Sequence, residues 1–257
     1  MTLRVTRRRF LLGSAAFLGA LAVDCLVVEP SSVSVEELSA GGPGLTLIQL
    51  SDLHLRGIGR REEEALRIIE EVDPDLVVIT GDFVSDLSGL RPMETFLSEL
   101  ASWRVYGVLG NWDYWADPES VAKTAGDCGV RVLRNEWVRE GPLTIVGVDD
   151  PVVGAADPER AFSGAEGEFV LALAHAPDVL AFGDQRADLL LVGHTHGGQV
   201  RLPLVGPLYV PSRFGARYSA GLYETSWGPM YVNRGLGWTG LPVRFLCPPE
   251  VTVVRLC

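Results

Sequence analysis

Cysteine, basic residues and histidine are all scarce in this 257-residue chain, and each shortage narrows what it does. The four cysteines, Cys25, Cys128, Cys247 and Cys257, include no C-x-x-C pair, which argues against a thiolate zinc site. Cys247 and Cys257 remain candidates for a disulfide in an oxidising compartment. Lysine and arginine total 22 against 33 acids, for a formal net charge of −11, and no basic block lies beyond the first ten residues. A nucleic-acid surface is therefore not signalled. No internal repeat is evident. What the chain does have is apolar residues, 47% of the total, enough to bury a sizeable core in one large domain or two small ones.

The N-terminus reads as a targeting segment. Thr6-Arg7-Arg8-Arg9-Phe10-Leu11-Leu12 sets arginines directly before an apolar run that reaches Val23, and Ala20-Leu21-Ala22 has the small-x-small form of a cleavage site. An arginine pair followed by x-Phe-Leu resembles a twin-arginine export signal. Residues 1–28 are thus expected to be that signal or an uncleaved anchor, because the run approaches spanning length if Asp24 is tolerated. Val23-Asp24-Cys25 is a poor lipobox, so lipidation is not expected. Residues 29–44, rich in Pro, Ser, Gly and Glu, read as a linker. Residues 45–257 read as the folded domain.

Within that domain, apolar runs alternate with helical periodicity. Leu45–Leu50, Leu76–Ile79 and Val105–Leu109 read as buried strands, and 60–72, 93–102 and 118–127 as helices, an order that argues for an α/β sheet. In the second half strand candidates crowd together, at 130–133, 143–148, 169–174, 189–192, 198–202, 229–233 and 251–256, and only the segment after Pro177 looks helical. Such density suggests a second sheet packed on the first.

Polar residues stand at the strand ends. Asp52 and His54 follow the first strand, Asp82 the second and Asn111 the third; His175 follows 169–174, and His194 and His196 follow 189–192. Open α/β sheets build their sites outside the carboxyl ends of strands. All four histidines of the chain occupy these positions, and none is left over for an ordinary surface role. Taken singly, an Asp after a strand is commonly a helix N-cap; five segments doing so together point to one site. Seven O and N donors exceed one tetrahedral ion and suit two, with Asp82 as a bridging carboxylate. Mixed N/O ligation without sulfur suits Mn, Fe or Zn, and two such ions about 3.5–4 Å apart form a phosphoryl-transfer device.

The ordered blocks D-x-H, G-D, G-N-x-D, a single H and G-H-x-H resemble the calcineurin-like metallophosphoesterase family, over Leu45 to about Cys257. The resemblance implies two mixed β-sheets packed as a sandwich flanked by α-helices. It also implies two divalent ions, with Asp52, His54 and His196 on one, Asn111, His175 and His194 on the other, and Asp82 between. A metal-bridging hydroxide would then attack phosphorus, with Asp82, Asn111 and His175 nearest the chemistry. The stretches Pro211–Tyr218, Gly235–Gly237 and Leu241–Phe245 resemble an exported or membrane-anchored bacterial branch. For that branch the resemblance implies the twin-arginine translocase as an export partner and action in the periplasm or at the outer face of the cytoplasmic membrane.

One position departs from the family. Where it usually has G-N-H, this chain has Trp112, whose indole N–H donates a hydrogen bond but does not titrate. General-acid help, typically worth about 10²–10⁴-fold, is lost with the histidine. Either another group supplies the proton or the leaving group needs none, and phosphodiester or pyrophosphate substrates are therefore expected ahead of monoesters. The alternatives are a UDP-diacylglucosamine-type lipid-precursor pyrophosphatase, anchored in the membrane, and a catalytically weak metal-binding protein. Trp112, Arg213 and Arg217 are candidate substrate contacts, with Arg234 a further candidate for phosphate and Tyr114 and Trp115 for an aromatic wall.

Overall fold

The computed structural model describes residues 6–257; the first five positions of the expected signal segment lie outside the described residues. The first half runs α1 (Arg7–Val23), β1 (Ser34–Ala40), β2 (Leu45–Leu50), α2 (Arg60–Val72), β3 (Leu76–Thr80), α3 (Leu90–Ser98), β4 (Arg104–Val108), α4 (Asn111–Ala116), α5 (Pro118–Asp127) and β5 (Val130–Val132). The second half runs β6 (Glu136–Glu140), β7 (Leu143–Gly147), α6 (Pro158–Phe162), β8 (Phe169–Leu173), β9 (Leu189–Val192), β10 (Arg201–Leu202), β11 (Gly206–Pro207), β12 (Gly221–Thr225), β13 (Gly228–Val232) and β14 (Glu250–Leu256).

Local chemistry sets these boundaries. In α2 the buried apolar residues Ala65, Ile68 and Ile69 fall on one face, and Glu63, Glu70 and Glu71 are exposed on the other. The Glu62 side chain accepts from the Gly59 N–H at its start, and Asp73 ends it in the left-handed region at φ 46°, just before Pro74. Pro118 opens α5 where its missing N–H costs nothing, behind the N-cap Asp117.

Two six-stranded sheets pack face to face. One has the order β1-β14-β2-β3-β4-β5, parallel throughout except for the antiparallel β14–β2 pair. The other has the order β12-β13-β9-β8-β7-β6, parallel at its centre and antiparallel at both edges. Strand alternation divides the core. Leu47, Leu76 and Val78 face Leu171, Leu189 and Leu191 of the other sheet. Their neighbours Ile48, Val77 and Ile79 turn outward under α2, α3 and α5. The outer face of the second sheet, with Ala172, Leu190 and Met230, is covered by Ala161 of α6 and by Trp227. This is the mixed-sheet sandwich flanked by helices that the resemblance implied. Truncating an inter-sheet residue such as Leu47 or Leu191 to alanine should cost roughly 2–5 kcal/mol.

Several expectations need correction. Ser34–Ala40, inside the expected linker 29–44, is β1, paired in parallel along β14; the sheet therefore begins before Leu45. The expected strand 198–202 is a tight turn over His196–Gly198 followed by the two-residue β10. Pro158–Phe162 is a short helix, capped by Asp157, that the sequence reading passed over. The helix expected at 93–102 spans Leu90–Ser98. All four cysteines are free. Seven residues of β14 separate Cys247 from Cys257, and at about 3.3 Å per residue that is roughly 20 Å, whereas a disulfide needs Cα atoms within about 7 Å.

Beyond the sandwich, α1 and the turns after it give an apolar stretch, Phe10–Ser31, of 22 residues with none of its most apolar window buried against the rest of the chain. Its far end is tied down. Cys25 O accepts from the Arg244 N–H at 3.0 Å, and the Glu29 carboxylate takes the backbone N–H groups of Leu246 and Cys247.

Candidate metal centre

The parallel strands of both sheets end at one edge, and their exits carry the polar residues. Four loops meet there in two pairs, one pair from each sheet. Asp52 N–H donates to Gly81 O and His54 N–H to Asp82 O, while Gly193 N–H donates to His175 O. All seven expected donors, Asp52, His54, Asp82, Asn111, His175, His194 and His196, are buried at this edge. Five of them, Asp52, His54, Asp82, His194 and His196, are among the ten non-glycine residues with positive φ among the described residues. Left-handed backbone is costly for such residues and concentrates at functional sites. Here it turns Asp52 and His54 into one donor group and divides His194 and His196 between two neighbouring groups.

The donors fall into two groups. Asp52, His54 and His196 place ligand atoms within 4.8 Å of one another, and so do Asp82, His175 and His194. Asp82 lies between them: its Oδ2 is 3.5 Å from His54 Nε2 and 3.4 Å from His175 Nε2. Asn111 Oδ1 stands 3.0 Å from His175 Nε2, on the second group. His196 Nε2 is 3.4 Å from Asp52 Oδ1 and 3.2 Å from His54 Nε2.

These spacings fit metal ions. Donors about 2.1 Å from one cation, at angles of 90–109°, lie about 3.0–3.5 Å apart. Two imidazole nitrogens facing each other need a cation or a proton between their lone pairs, and both groups contain such a pair: His54 with His196, and His175 Nε2 with His194 Nδ1 at 3.1 Å. Outer partners orient the rings. His175 Nδ1–H donates to Thr80 O at 2.9 Å, leaving Nε2 inward; His194 Nε2–H donates to Pro211 O, leaving Nδ1 inward; His54 Nδ1 meets Ser85 Oγ at 3.1 Å. Metal-ligating histidines are held in this way. Asp52 is fixed by the Ser51 hydroxyl at 2.5 Å and by the His194 N–H at 2.9 Å. Gly193 makes that approach feasible, because a Cβ there would lie 1.8 Å from Ser51 Oγ.

Charge follows burial. Burial lowers His54 and His194 to about 4 and puts His196 well below its ordinary value, so these rings are neutral, the form that ligates metal. His175 is also buried, but Asp82 and Asp52 outweigh that and hold it well above the usual range. For Asp82 burial acts upward, yet His175, His54 and His194 keep it below the ordinary carboxylate value. Burial raises Asp52 to about 6, against the pull of His175. Asp113 is pushed up to about 8 by burial and by Asp82.

The remaining expected residues divide. Trp112 lies in the first turn of α4 beside the site: its N–H donates to Asp82 Oδ1 at 2.8 Å, and its ring meets His54 edge-on at 5.7 Å and Trp115 at 5.1 Å. Both tryptophans line a cavity of about 650 Å³ that reaches Asp82, Asn111, His194 and His196, and Arg213 stands on its rim. Tyr114 does not join this wall; it packs in the core and donates to Asp149 at 2.6 Å. Arg217 is not among the residues that line the cavity, and its guanidinium lies over the Tyr218 ring at 5.0 Å. Arg234 is held by Glu250 and Glu36. Asp113 caps α4, accepting from Gly110 N–H at 2.9 Å and Val84 N–H at 3.1 Å. Sequence reasoning missed Ser51, Ser85 and Asp178, the last a buried cavity residue that accepts from Ser212 Oγ and Arg213 N–H. A hydroxyl beside D-x-H was the available signal for Ser51, while Ser85 and Asp178 had none.

A family model described as calcineurin-like phosphoesterase matches residues 45–198. The uncharacterized metallophosphoesterase YkuE of Bacillus subtilis (strain 168) is 34% identical over 98% of both chains. Phosphodiesterase YaeI of Escherichia coli (strain K12) is 34% identical over 75% of this chain and 74% of its own length. Among solved structures, TT1561 of Thermus thermophilus superposes with a TM-score of 0.50 at 13% identity, covering 76% of this chain and 91% of that one, a likeness of fold.

Proposed function

The chain belongs to the calcineurin-like phosphoesterase family and is a phosphoester hydrolase, and from that premise we propose a dinuclear enzyme that cleaves phosphodiester or pyrophosphate bonds outside the cytoplasmic membrane. The position of Asp82 Oδ2, almost equidistant from a ligand nitrogen in each group, carries this reading. Asp52, His54 and His196 would hold one ion, Asn111, His175 and His194 the other, and Asp82 both. Two divalent cations held there supply Lewis-acid charge to phosphoryl oxygens and acidify water enough to serve as the nucleophile near neutral pH. Mn, Fe and Zn all suit such a donor set.

The protein's part is placement. Thr80 O and Pro211 O hold the rings of His175 and His194, so the second group is preorganised before substrate arrives. Arg213 offers a cation to a nonbridging oxygen at the cavity rim. Trp112 and Trp115 present flat apolar surface to a base, a sugar or the start of an acyl chain. Trp112 supplies no proton where the family has histidine, and a leaving group that departs unaided needs none. Alkyl monoesters fit that poorly, and diesters with good leaving groups or pyrophosphates fit it well.

The N-terminal stretch Phe10–Ser31 is long and apolar enough to cross a membrane. With its flanking arginines it supports export by the twin-arginine translocase and retention as an anchor. That placement favours one second reading, hydrolysis of a nucleotide-linked lipid precursor at the membrane surface. Protein loaded with Mn²⁺ should hydrolyse bis-p-nitrophenyl phosphate, and His194→Ala should abolish turnover while leaving the melting transition cooperative. Undiminished turnover in that variant would overturn the assignment. Activity on a nucleotide-linked lipid that requires detergent would select the second reading.

A further inference from the structure

The β10–β11 hairpin is built against the usual rules for a surface loop. It runs Arg201-Leu202-Pro203-Leu204-Val205-Gly206-Pro207-Leu208-Tyr209, with a single charge at its base. Leu204 is fully exposed, Val205 is 70% exposed and Tyr209 73% exposed, and Leu202 and Leu208 are exposed too. Contiguous exposed apolar surface of this kind marks a contact with another apolar body. Leu204 also adopts φ 66°, in the left-handed region where glycine or asparagine is the unstrained choice. A bulky apolar side chain thus sits in water at a position where its backbone is strained. Leu246, 53% exposed, repeats the combination at φ 51°.

The two leucines belong to one surface, and that surface is joined to the apolar N-terminal stretch. Arg201 N–H donates to Phe245 O and Phe245 N–H to Gln199 O, so the hairpin's base is paired with residue 245. On one side of Phe245, Arg244 N–H donates to Cys25 O. On the other, Leu246 N–H donates to the Glu29 carboxylate. Cys25 and Glu29 close the stretch Phe10–Ser31. The same hairpin leads into the metal-site cavity, because Tyr209, Val210 and Pro211 line it and Pro211 O holds His194.

We propose that the β10–β11 hairpin, with Leu246 beside it, is a membrane-seated surface that docks the mouth of the metal-site cavity against the bilayer. The occupant is lipid rather than a second copy or another protein, because the patch is continuous with a segment of spanning length; this clause rests on the anchored reading above. Seating in the bilayer removes Leu204, Val205, Leu208 and Tyr209 from water, and tyrosine suits the interface between headgroups and chains. It places the cavity where a phosphoester in a lipid headgroup can enter without leaving the membrane.

The test uses the full chain, reconstituted in vesicles of phosphatidylcholine and phosphatidylglycerol, with Leu204→Trp as a reporter against the wild-type emission. Shallowly brominated lipid should quench the added tryptophan emission at least twofold, and iodide should not. Leu208→Trp repeats the measurement should the first variant fold poorly. Added emission that brominated lipid leaves untouched would overturn the proposal: open to iodide, the hairpin faces water; shielded from iodide, it faces protein. Neither readout depends on catalysis, so an inactive protein would undermine the enzymatic reading and leave this one standing or falling on the quenching alone.

Discussion

Asp82→Asn should remove two metal ions from the protein with one substitution. The carboxylate's Oδ2 lies 3.5 Å from His54 Nε2 and 3.4 Å from His175 Nε2, one nitrogen from each group. Asparagine keeps the shape and keeps an oxygen to accept the Trp112 N–H, so the start of α4 survives. It loses the charge that both groups share. An ion present at 100 times its Kd stabilises a folded protein by about 2.7 kcal/mol. In a chain of 257 residues, each kcal/mol moves Tm by about 2–4 °C. Each occupied group should then add roughly 5–10 °C, and both together about 10–20 °C. His54→Asn should lose one equivalent of metal and about half of that gain, and His194→Asn should do the same from the other group. Asp82→Asn should lose both. Metal content by mass spectrometry, measured beside thermal unfolding with and without Mn²⁺, reads both quantities. An Asp82→Asn protein that retains one full equivalent, as the histidine variants do, would show that Asp82 serves one group only.

Three further outcomes follow from the geometry. Gly193→Ala puts a Cβ 1.8 Å from Ser51 Oγ and 2.3 Å from Asp52 Oδ2; overpacking of this kind costs about 1–3 kcal/mol and, by displacing Asp52, should lower turnover more than tenfold, so a stable and fully active variant would contradict the packing. The Tm difference between Mn²⁺-loaded and chelator-treated protein should widen from pH 5 to pH 8: Asp52 at about 6 and Asp113 at about 8 are both raised above 3.8, so these two carboxyls hold protons in the metal-free fold that the unfolded chain has released, and their contribution to its stability is lost as pH rises through that window, while bound cations relieve it; the neutral histidines are common to both forms and cancel in the difference. A difference that stays constant or narrows with pH would refute this. Trp112→His should speed hydrolysis of alkyl phosphomonoesters at least tenfold and leave p-nitrophenyl esters nearly unchanged, since only the former need a proton; equal effects on both, in steady-state kinetics, would exclude a general-acid gap at this position.

The sequence disclosed the buried centre of the fold and lost three of the four edge strands of its two large sheets, β5 being the exception. β2, β3, β4, β8 and β9 are continuous apolar runs because each is covered on both faces, and such runs read clearly as strands. β1, β6 and β12 went unrecognised, and each is the outermost strand of its sheet, half-exposed and carrying glutamates. Edge strands use polar residues to discourage pairing with other chains, which erases their apolar signature. β1 was further disguised by the Pro, Ser and Gly around it. The seven donors were legible because parallel strands deliver their loops to one edge, so a polar residue after each apolar run sufficed to place them. Arg217 and Arg234 were not, since whether an arginine faces a cavity or an acid partner depends on contacts between distant segments: Tyr218 lies under one, and Glu250 and Glu36 hold the other. The left-handed backbone at Asp52, His54, Asp82, His194 and His196 left no trace in sequence beyond the neighbouring glycines.

A two-ion hydrolase would hold one ion in Asp52–His54–His196 and the other in Asn111–His175–His194, joined by Asp82. The most direct test titrates metal-free protein with Mn²⁺ while following hydrolysis of bis-p-nitrophenyl phosphate. A shared two-ion centre predicts little turnover at one equivalent and a rise that breaks at two per chain. Full activity at one equivalent, or none with both groups filled, would contradict it.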